Sequence, residues 1–400
     1  MSTKYPAGVI KSAPVVPSGP YQNSSASGVW TMEQAGYWIK QGNWPTAGNF
    51  NNPLYSWGNN SFGQLGLGDI TNRSSPVQVG ALTSWFRVAG GYPHTLATKT
   101  DGTLWTWGGN AFGQLGLGNL TNYSSPKQVG ALTTWLNITA GTYYSLATKT
   151  DGTLWSWGYN AYGQLGLGDI TTRSSPVQVG ALTTWLSVAA GQDGSIATKT
   201  DGTLWSWGRN NLGQLGQGNT TFYSSPKQVG ALTTWVLVSA GLQQVLATKT
   251  DGTLWGWGAN AQGQLGLGNV TNYSSPKQVG ALTTWSKIAG GGQFTLATKT
   301  DGTLWSWGQN SNGQLGLGNI SIRSSPVQVG ALTTWSNVSG GINHTLATKT
   351  DGTLWSWGQN SNGQLGLGDT TARSSPVQVG ALTTWLSIAA GYYCSIAILS

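Results

Sequence analysis

Apolar and polar residues follow a period of two along most of this chain, and the pattern breaks at regular intervals. TLATKT (345–350) and TLWSW (353–357) both read this way and flank Thr350-Asp351-Gly352. Two such runs around an Asp-Gly turn signal predict a β-hairpin. PVQVG (76–80) puts Val77 and Val79 on one face, and TSWFRVAG (83–90) supplies a further short strand. Clusters of Gly, Ser, Asn and Thr separate these runs. From residue 51 onward nothing keeps a helical period over ten residues, so the chain is read as all-β.

The pattern recurs every 50 residues without insertion or deletion. WG.N..GQLG begins at Trp57, Trp107, Trp157, Trp207, Trp257, Trp307 and Trp357. SSP.QVGALT.W ends at Trp85, Trp135, Trp185, Trp235, Trp285, Trp335 and Trp385. Four short strands per repeat are the signature of a propeller blade. The first repeat opens directly at Leu54–Gly58, without the LATKTDGT half, and the last stops at SIAILS, Ser395–Ser400. The C-terminal strand is therefore expected to pair with the first strand. That closes a seven-bladed β-propeller over residues 51–400 and removes two exposed sheet edges.

GYPHTLATKTDGTLWTWGGNAFGQLGLG (91–118) resembles the repeat of the RCC1 family, the regulator of chromosome condensation. The resemblance recurs seven times and implies the propeller fold. It also places His94 and His344 on the family's repeat histidine, usually a structural position. The family's namesake resembles a nucleotide-exchange factor for a small GTPase and a chromatin binder. Here the uniform period leaves no inserted wedge, and no basic tail is present.

Residues 1–50 differ. Residues 1–28 are rich in Pro, Ser, Gly and Ala and read as an extended arm. SGVWTMEQAGYWIKQGNWP (27–45) predicts one short helix: Thr31 and Gln34 have capping-box spacing, and Gly42 with Pro45 stops it. This segment is similar to one near the N-termini of virion proteins of tailed phages, notably those of marine cyanobacteria. Trp30, Met32, Tyr37, Trp38, Ile39 and Trp44 are its candidate docking residues.

The formal charge of +8 is spread along 400 residues of which only 8% are charged, so no basic stripe for nucleic acid forms. No apolar run approaches the roughly 20 residues that span a bilayer. Cys394 is the single cysteine, so no intrachain disulfide forms. GQLGLG has the spacing G-x-x-G-x-G with no following helix, unlike a dinucleotide loop, and its glycines read as tight turns. The repeating hairpin aspartates are kept apart by the ring, Asp193 stands alone, and two histidines with one cysteine make neither a metal cluster nor a dyad. No catalytic residue, cofactor or metal is expected. The tryptophans repeat too strictly for a ligand array and read as core.

What varies between repeats is the triplet after AAG and its equivalents. It reads Tyr92-Pro93-His94, Thr142-Tyr143-Tyr144, Gln192-Asp193-Gly194, Leu242-Gln243-Gln244, Gly292-Gln293-Phe294, Ile342-Asn343-His344 and Tyr392-Tyr393-Cys394. A second variable patch flanks the fixed Asn of WG.N..G, with Asn59/Phe62, Tyr159/Tyr162, Arg209/Leu212 and Gln309/Asn312. Variable loops on a rigid scaffold are where recognition usually resides. The candidates are Tyr92, His94, Tyr143, Tyr144, Gln192, Asp193, Gln243, Gln244, Gln293, Phe294, Asn343, His344, Tyr392 and Tyr393. A further pattern alternates: RSSPV at Arg73, Arg173, Arg323 and Arg373, but YSSPK at Tyr123, Tyr223 and Tyr273. Asp69, Asp169 and Asp369 accompany Arg, which predicts local Asp–Arg pairs.

The expected function is a non-enzymatic virion component of a tailed phage, assembled in the host cytoplasm and released by lysis. Its arm would dock to other virion proteins, and its ring would display loops to a host-surface glycan or protein. The alternatives are a soluble lectin and a regulatory interaction module like the family's namesake.

Overall fold

The computed structural model describes residues 52–400 and two short strands, Thr3–Tyr5 and Gly8–Ile10, which pair antiparallel with Lys4 opposite Val9. The expected helix at 27–45 and its docking residues Trp30, Met32, Tyr37, Trp38, Ile39 and Trp44 lie outside the described residues.

From Leu54 to Leu399 the chain forms seven four-stranded antiparallel sheets, the blades of a β-propeller. In the first continuous blade the order from the central channel outward is Trp85–Gly90, His94–Lys99, Leu104–Gly108 and Tyr123–Gln128. These four positions are called the inner, second, third and outer strands in every blade. Each 50-residue sequence repeat thus supplies the outer half of one blade and the inner half of the next. The second strand is buried along its whole length in the blades of His94–Lys99 and Tyr144–Lys149, and at all but one end residue in the others, because blades pack on both of its faces. The outer strand begins at Arg73, ahead of the expected PVQVG run, and carries Pro76. Proline suits a sheet edge, where its missing N–H breaks no ladder and discourages pairing with another chain.

The seventh blade joins the two ends of the repeat array. Trp385–Ala390 and Cys394–Leu399 form its inner half, and Leu54–Gly58 and Arg73–Gln78 its outer half. Leu54 faces Ile398 and Trp57 faces Ser395 in the joining ladder. In the other blades the Lys-Thr-Asp-Gly turn is a junction: Thr100 N–H donates to Ser84 O (2.9 Å), and Gly102 O accepts Trp135 N–H (3.1 Å). The closing blade rebuilds this junction without a covalent turn. Ser400 N–H donates to Thr384 O (2.9 Å), and Asn52 O accepts Trp85 N–H (3.3 Å).

Blades are stitched through GQLG. Trp107 Nε1–H and Thr95 Oγ1–H both donate to the carbonyl of Gln64 in the preceding blade, at 2.9 Å each. A Cβ on Gly66 would lie 2.7 Å from that indole nitrogen, and its φ is +73°, so this position requires glycine. The fixed asparagine shapes the same loop: Asn60 Oδ1 accepts Leu65 N–H (2.9 Å) while its amide donates to Asp69 O (3.0 Å). The glycine-rich run is architecture in every copy, as its spacing indicated.

On the hairpin face Asp201 Oδ1 accepts both N–H (2.9 Å) and Oγ1–H (2.6 Å) of Thr203, which in turn accepts Trp205 Nε1–H (2.8 Å). Lys199 Nζ sits 3.6 Å from the centroid of Trp205 and 4.9 Å from that of Trp185. Burial lowers the pKa of Lys199 and Asp201 partly restores it. The same lysine bracket recurs at Lys99, Lys149, Lys249, Lys299 and Lys349. The closing blade has Leu399 and Tyr55 in these places.

The alternating outer-strand residues are two solutions to one packing task. Arg173 meets Asp169 at 2.6 Å and Arg373 meets Asp369 at 2.6 Å, and Arg73 pairs with Asp69 in the same way. The N–H of Thr71, ahead of the Arg73 guanidinium, holds Asp69 below the usual carboxylate range. In the other class Asn219 donates to Tyr223 OH (3.1 Å) and Lys227 Nζ also reaches that hydroxyl (3.0 Å).

Candidate functional site

The two variable loop series, one between inner and second strands and one after the third strand, lie on the face opposite the hairpins. Their backbone is fixed by a belt of hydrogen bonds from blade to blade. Gln192 N–H donates to Leu242 O (2.9 Å), Leu242 N–H to Gly292 O (3.2 Å) and Tyr392 N–H to Gly91 O (3.3 Å). The belt surrounds a central cavity of about 270 Å³ lined largely by Gly and Ala of the inner strands. Because the main chain carries this load, side chains at the first two positions of each triplet are free of it.

The third position behaves differently. His94, Tyr144, Gln244, Phe294 and His344 begin second strands and are buried. They clamp neighbouring blades instead of facing outward. His94 Nε2 lies 3.0 Å from Ser145 Oγ, and His344 Nε2 lies 3.0 Å from Ser395 Oγ. Tyr144 OH donates to Gly194 O (2.7 Å), and Gln244 Nε2 donates to Gly291 O (3.0 Å). Burial pushes the His94 pKa down to about 3 and that of His344 to about 4, so both rings are neutral at neutral pH. The same burial raises the Tyr144 phenol and pushes the Cys394 thiol up to about 12. In the folded ring these five side chains are closed off from solvent.

The remaining candidates, Tyr92, Tyr143, Gln192, Gln243, Gln293, Asn343, Tyr392 and Tyr393, are half-buried at the loop face. The structure draws the tyrosines into one continuous arc with residues of the second loop series. Tyr92 is the hub, with ring centroids 5.2 Å from Tyr392, 5.7 Å from Tyr143, 6.2 Å from Tyr393 and 6.4 Å from Phe62. The arc continues through Phe112 to Tyr159 (4.8 Å), Tyr162 and Phe222 (5.8 Å). The hydroxyls of Thr142 and Tyr392 lie 2.5 Å apart and pin the inner side.

Asp193 is almost fully buried, and Arg209 reaches it at 3.3 Å while stacking 5.0 Å over the Tyr162 ring. Burial raises the Asp193 pKa and the Arg209 partner opposes that rise. Asp193 thus belongs to an ion pair, where the sequence had it alone. The signal was present: Asp193 among the triplets and Arg209 beside the fixed Asn are the formally charged residues of the two variable patches, and they fall in successive repeats that share one blade. Phe112 and Phe222 join the arc as well, and Phe222 stands at a position that varies, with Asn72, Asn122, Thr172 and Ile322 as counterparts. Across the ring, the blades between residues 235 and 378 offer amides instead, for example Asn343 Nδ2 donating to Gln359 Oε1 (3.1 Å).

Fold and face define a seven-bladed propeller with one constant and one variable side. The chain belongs to the RCC1-like family: the RCC1-like domain model matches residues 181–400, and the regulator of chromosome condensation repeat matches 52–98, 101–148 and 151–198. Among solved structures it is similar to human WBSCR16, with TM-score 0.79 and 23% identity, covering 87% of this chain and 99% of that one. It is also similar to Prp20p of Saccharomyces cerevisiae, studied with its binding to Gsp1p and histones (TM-score 0.79, 21% identity, 88% and 92% covered). The yeast RCC1 bound by Kap60 matches as well (TM-score 0.79, 21% identity, 87% and 89% covered). At these identities the likeness concerns the fold.

Proposed function

We propose that this protein is a non-enzymatic recognition scaffold whose loop face binds a partner, and that it serves as a display component of a tailed-phage particle. One observation carries the recognition reading. Residues that architecture leaves free at the loop face converge on an interlocked aromatic arc, whereas the turn and tryptophan positions of the hairpin face repeat almost unchanged. Prp20p, with its binding to Gsp1p and histones, is an example of this fold at work in binding. The virion setting rests on the likeness of residues 27–45 to tailed-phage virion proteins. Mass spectrometry of purified particles tests the setting: the protein is expected among the particle components, and its absence overturns the display role. Adsorption of the protein to host cells tests recognition, and Tyr143→Ala with Tyr159→Ala is expected to abolish it.

A further inference from the structure

Resting on the reading of the loop face as the recognition surface, we propose that the aromatic arc from Phe62 through Tyr92, Tyr143 and Tyr159 to Phe222 binds a neutral polysaccharide chain. Three features of the arc point to that chemistry.

The first is the rings themselves. They stand in contact at centroid distances from 4.8 to 6.4 Å along the series, so each is held by its neighbours before a ligand arrives. The end rings, Phe62 and Phe222, are 41% and 44% exposed. Rigid aromatic faces lose little conformational entropy on binding, and a tyrosine adds a hydroxyl at the edge of its apolar surface. A pyranose presents the matching surface, with C–H bonds on its face and hydroxyls around its rim.

The second is charge. Asp193 and Arg209 neutralise each other at 3.3 Å, and the other charges of the second loop series, Asp69, Asp169 and Asp369, are each paired with an outer-strand arginine, Arg73, Arg173 and Arg373. An acidic polymer would call for unpaired Arg or Lys, which the arc does not offer. The third is shape. From the hub at Tyr92 the rings extend across successive blades through Tyr143, Phe112, Tyr159 and Tyr162 to Phe222, and a linear chain matches that extension. Tyr159 stands where other blades have Gly109, Ala259 or Gln309, and Tyr92 where others have Thr142, Gln192 or Gly292, so blade packing does not require these rings.

The test is calorimetric titration of the full-length protein with neutral gluco-, manno- and galacto-oligosaccharides, with polygalacturonate as the charged control. At least one neutral series is expected to bind and the charged control to fail. Tyr143→Ala and Tyr159→Ala should each weaken binding about tenfold or more, while Tyr143→Phe, which keeps the ring, stays close to wild type. Melting curves of the alanine variants establish that they fold. Absence of binding by every neutral series at millimolar concentration, or equal binding by the alanine variants, overturns the proposal. Periodate and protease treatment of host cells separates this failure from failure of the recognition reading. Adsorption that survives periodate, is lost with protease and still needs Tyr159 overturns the polysaccharide and keeps the loop face. Adsorption indifferent to Tyr159 overturns both.

Discussion

The hairpin face and the loop face of this ring are built from the same repeats, yet one is nearly invariant and the other differs in every blade. On the hairpin face each side chain has several tasks at once. Asp201 orders Thr203, Thr203 accepts the Trp205 indole, and Lys199 lies between two tryptophans. The turn also carries the backbone junction to both adjoining linkers. On the loop face the belt of backbone bonds and the fixed Asn and Gln hold the shape. Residues such as Tyr92, Gln192 and Gln243 therefore vary without opening the ring.

The largest effect comes from breaking the closing blade, where the two ends of the array meet. Ala397 lies in the middle of a ladder, opposite both Tyr55 and Ile388. Ala397→Pro removes a donor from a central strand and is expected to cost about 3 kcal/mol or more. Chemical denaturation followed by tryptophan fluorescence measures it, and a stability equal to wild type would refute the shared blade. Next comes the hairpin turn itself. Gly102 has φ +78°, and a Cβ there would overlap the carbonyl oxygen of Thr133. Gly102→Ala is expected to lose roughly 2–3 kcal/mol, strain plus overlap. Gly80→Ala has a similar φ of +59° with nothing within 4 Å, and should lose only about 1 kcal/mol.

The hairpin face was legible from the sequence because period-two runs around Asp-Gly and a strict 50-residue spacing report backbone geometry directly. Ring closure was legible for the same reason, from how the first and last repeats are truncated. The loop face was only half legible. Variation marks both free and packed positions: His94, Tyr144, Gln244 and Phe294 vary as much as Tyr92, yet each is buried against the next blade. Their variability is compensation between neighbours. Tyr144 fills space beside Gly194, to whose carbonyl its hydroxyl donates. Contacts between loops well apart in sequence, such as Phe62 with Tyr92 or Arg209 with Asp193, leave no periodic trace in a single chain.

The buried layer under the loop face gives the third prediction, an acid limb of stability. His94 and His344 are held neutral in the fold, with pKa values of about 3 and 4 against an ordinary 6.5. The unfolded chain takes up protons below pH 6.5 and the folded ring does not. Their contribution is therefore complete above that pH and is lost as pH falls towards 4, by up to about 1.4 kcal/mol per pH unit for each ring. Gln244 fills the equivalent place in another blade. The His94→Gln, His344→Gln double variant should flatten urea-derived stability between pH 6.5 and 4, and an unchanged slope would mean the rings are not the source.

The smallest effect should come from moving the closing blade's own solution into a regular one. Leu399 and Tyr55 replace the lysine and tryptophan there, and Tyr55 still packs edge-on against Trp385 at 5.6 Å. Lys199→Leu with Trp205→Tyr removes a cation–π contact worth about 0.5–1 kcal/mol, but it also removes a partly desolvated ammonium. The two terms oppose, so the double variant should lie within about 1 kcal/mol of wild type. Trp205→Tyr alone should fall lower, because Lys199 keeps its desolvation cost and loses its nearer indole. A double-mutant cycle then gives a coupling energy of about 0.5–1 kcal/mol between the two positions. Additive losses would show that the hairpin face is constant for some reason other than the bracket. The constancy would then trace to the Asp201–Thr203 turn and its junction, which the closing blade rebuilds from Asn52 and Ser400.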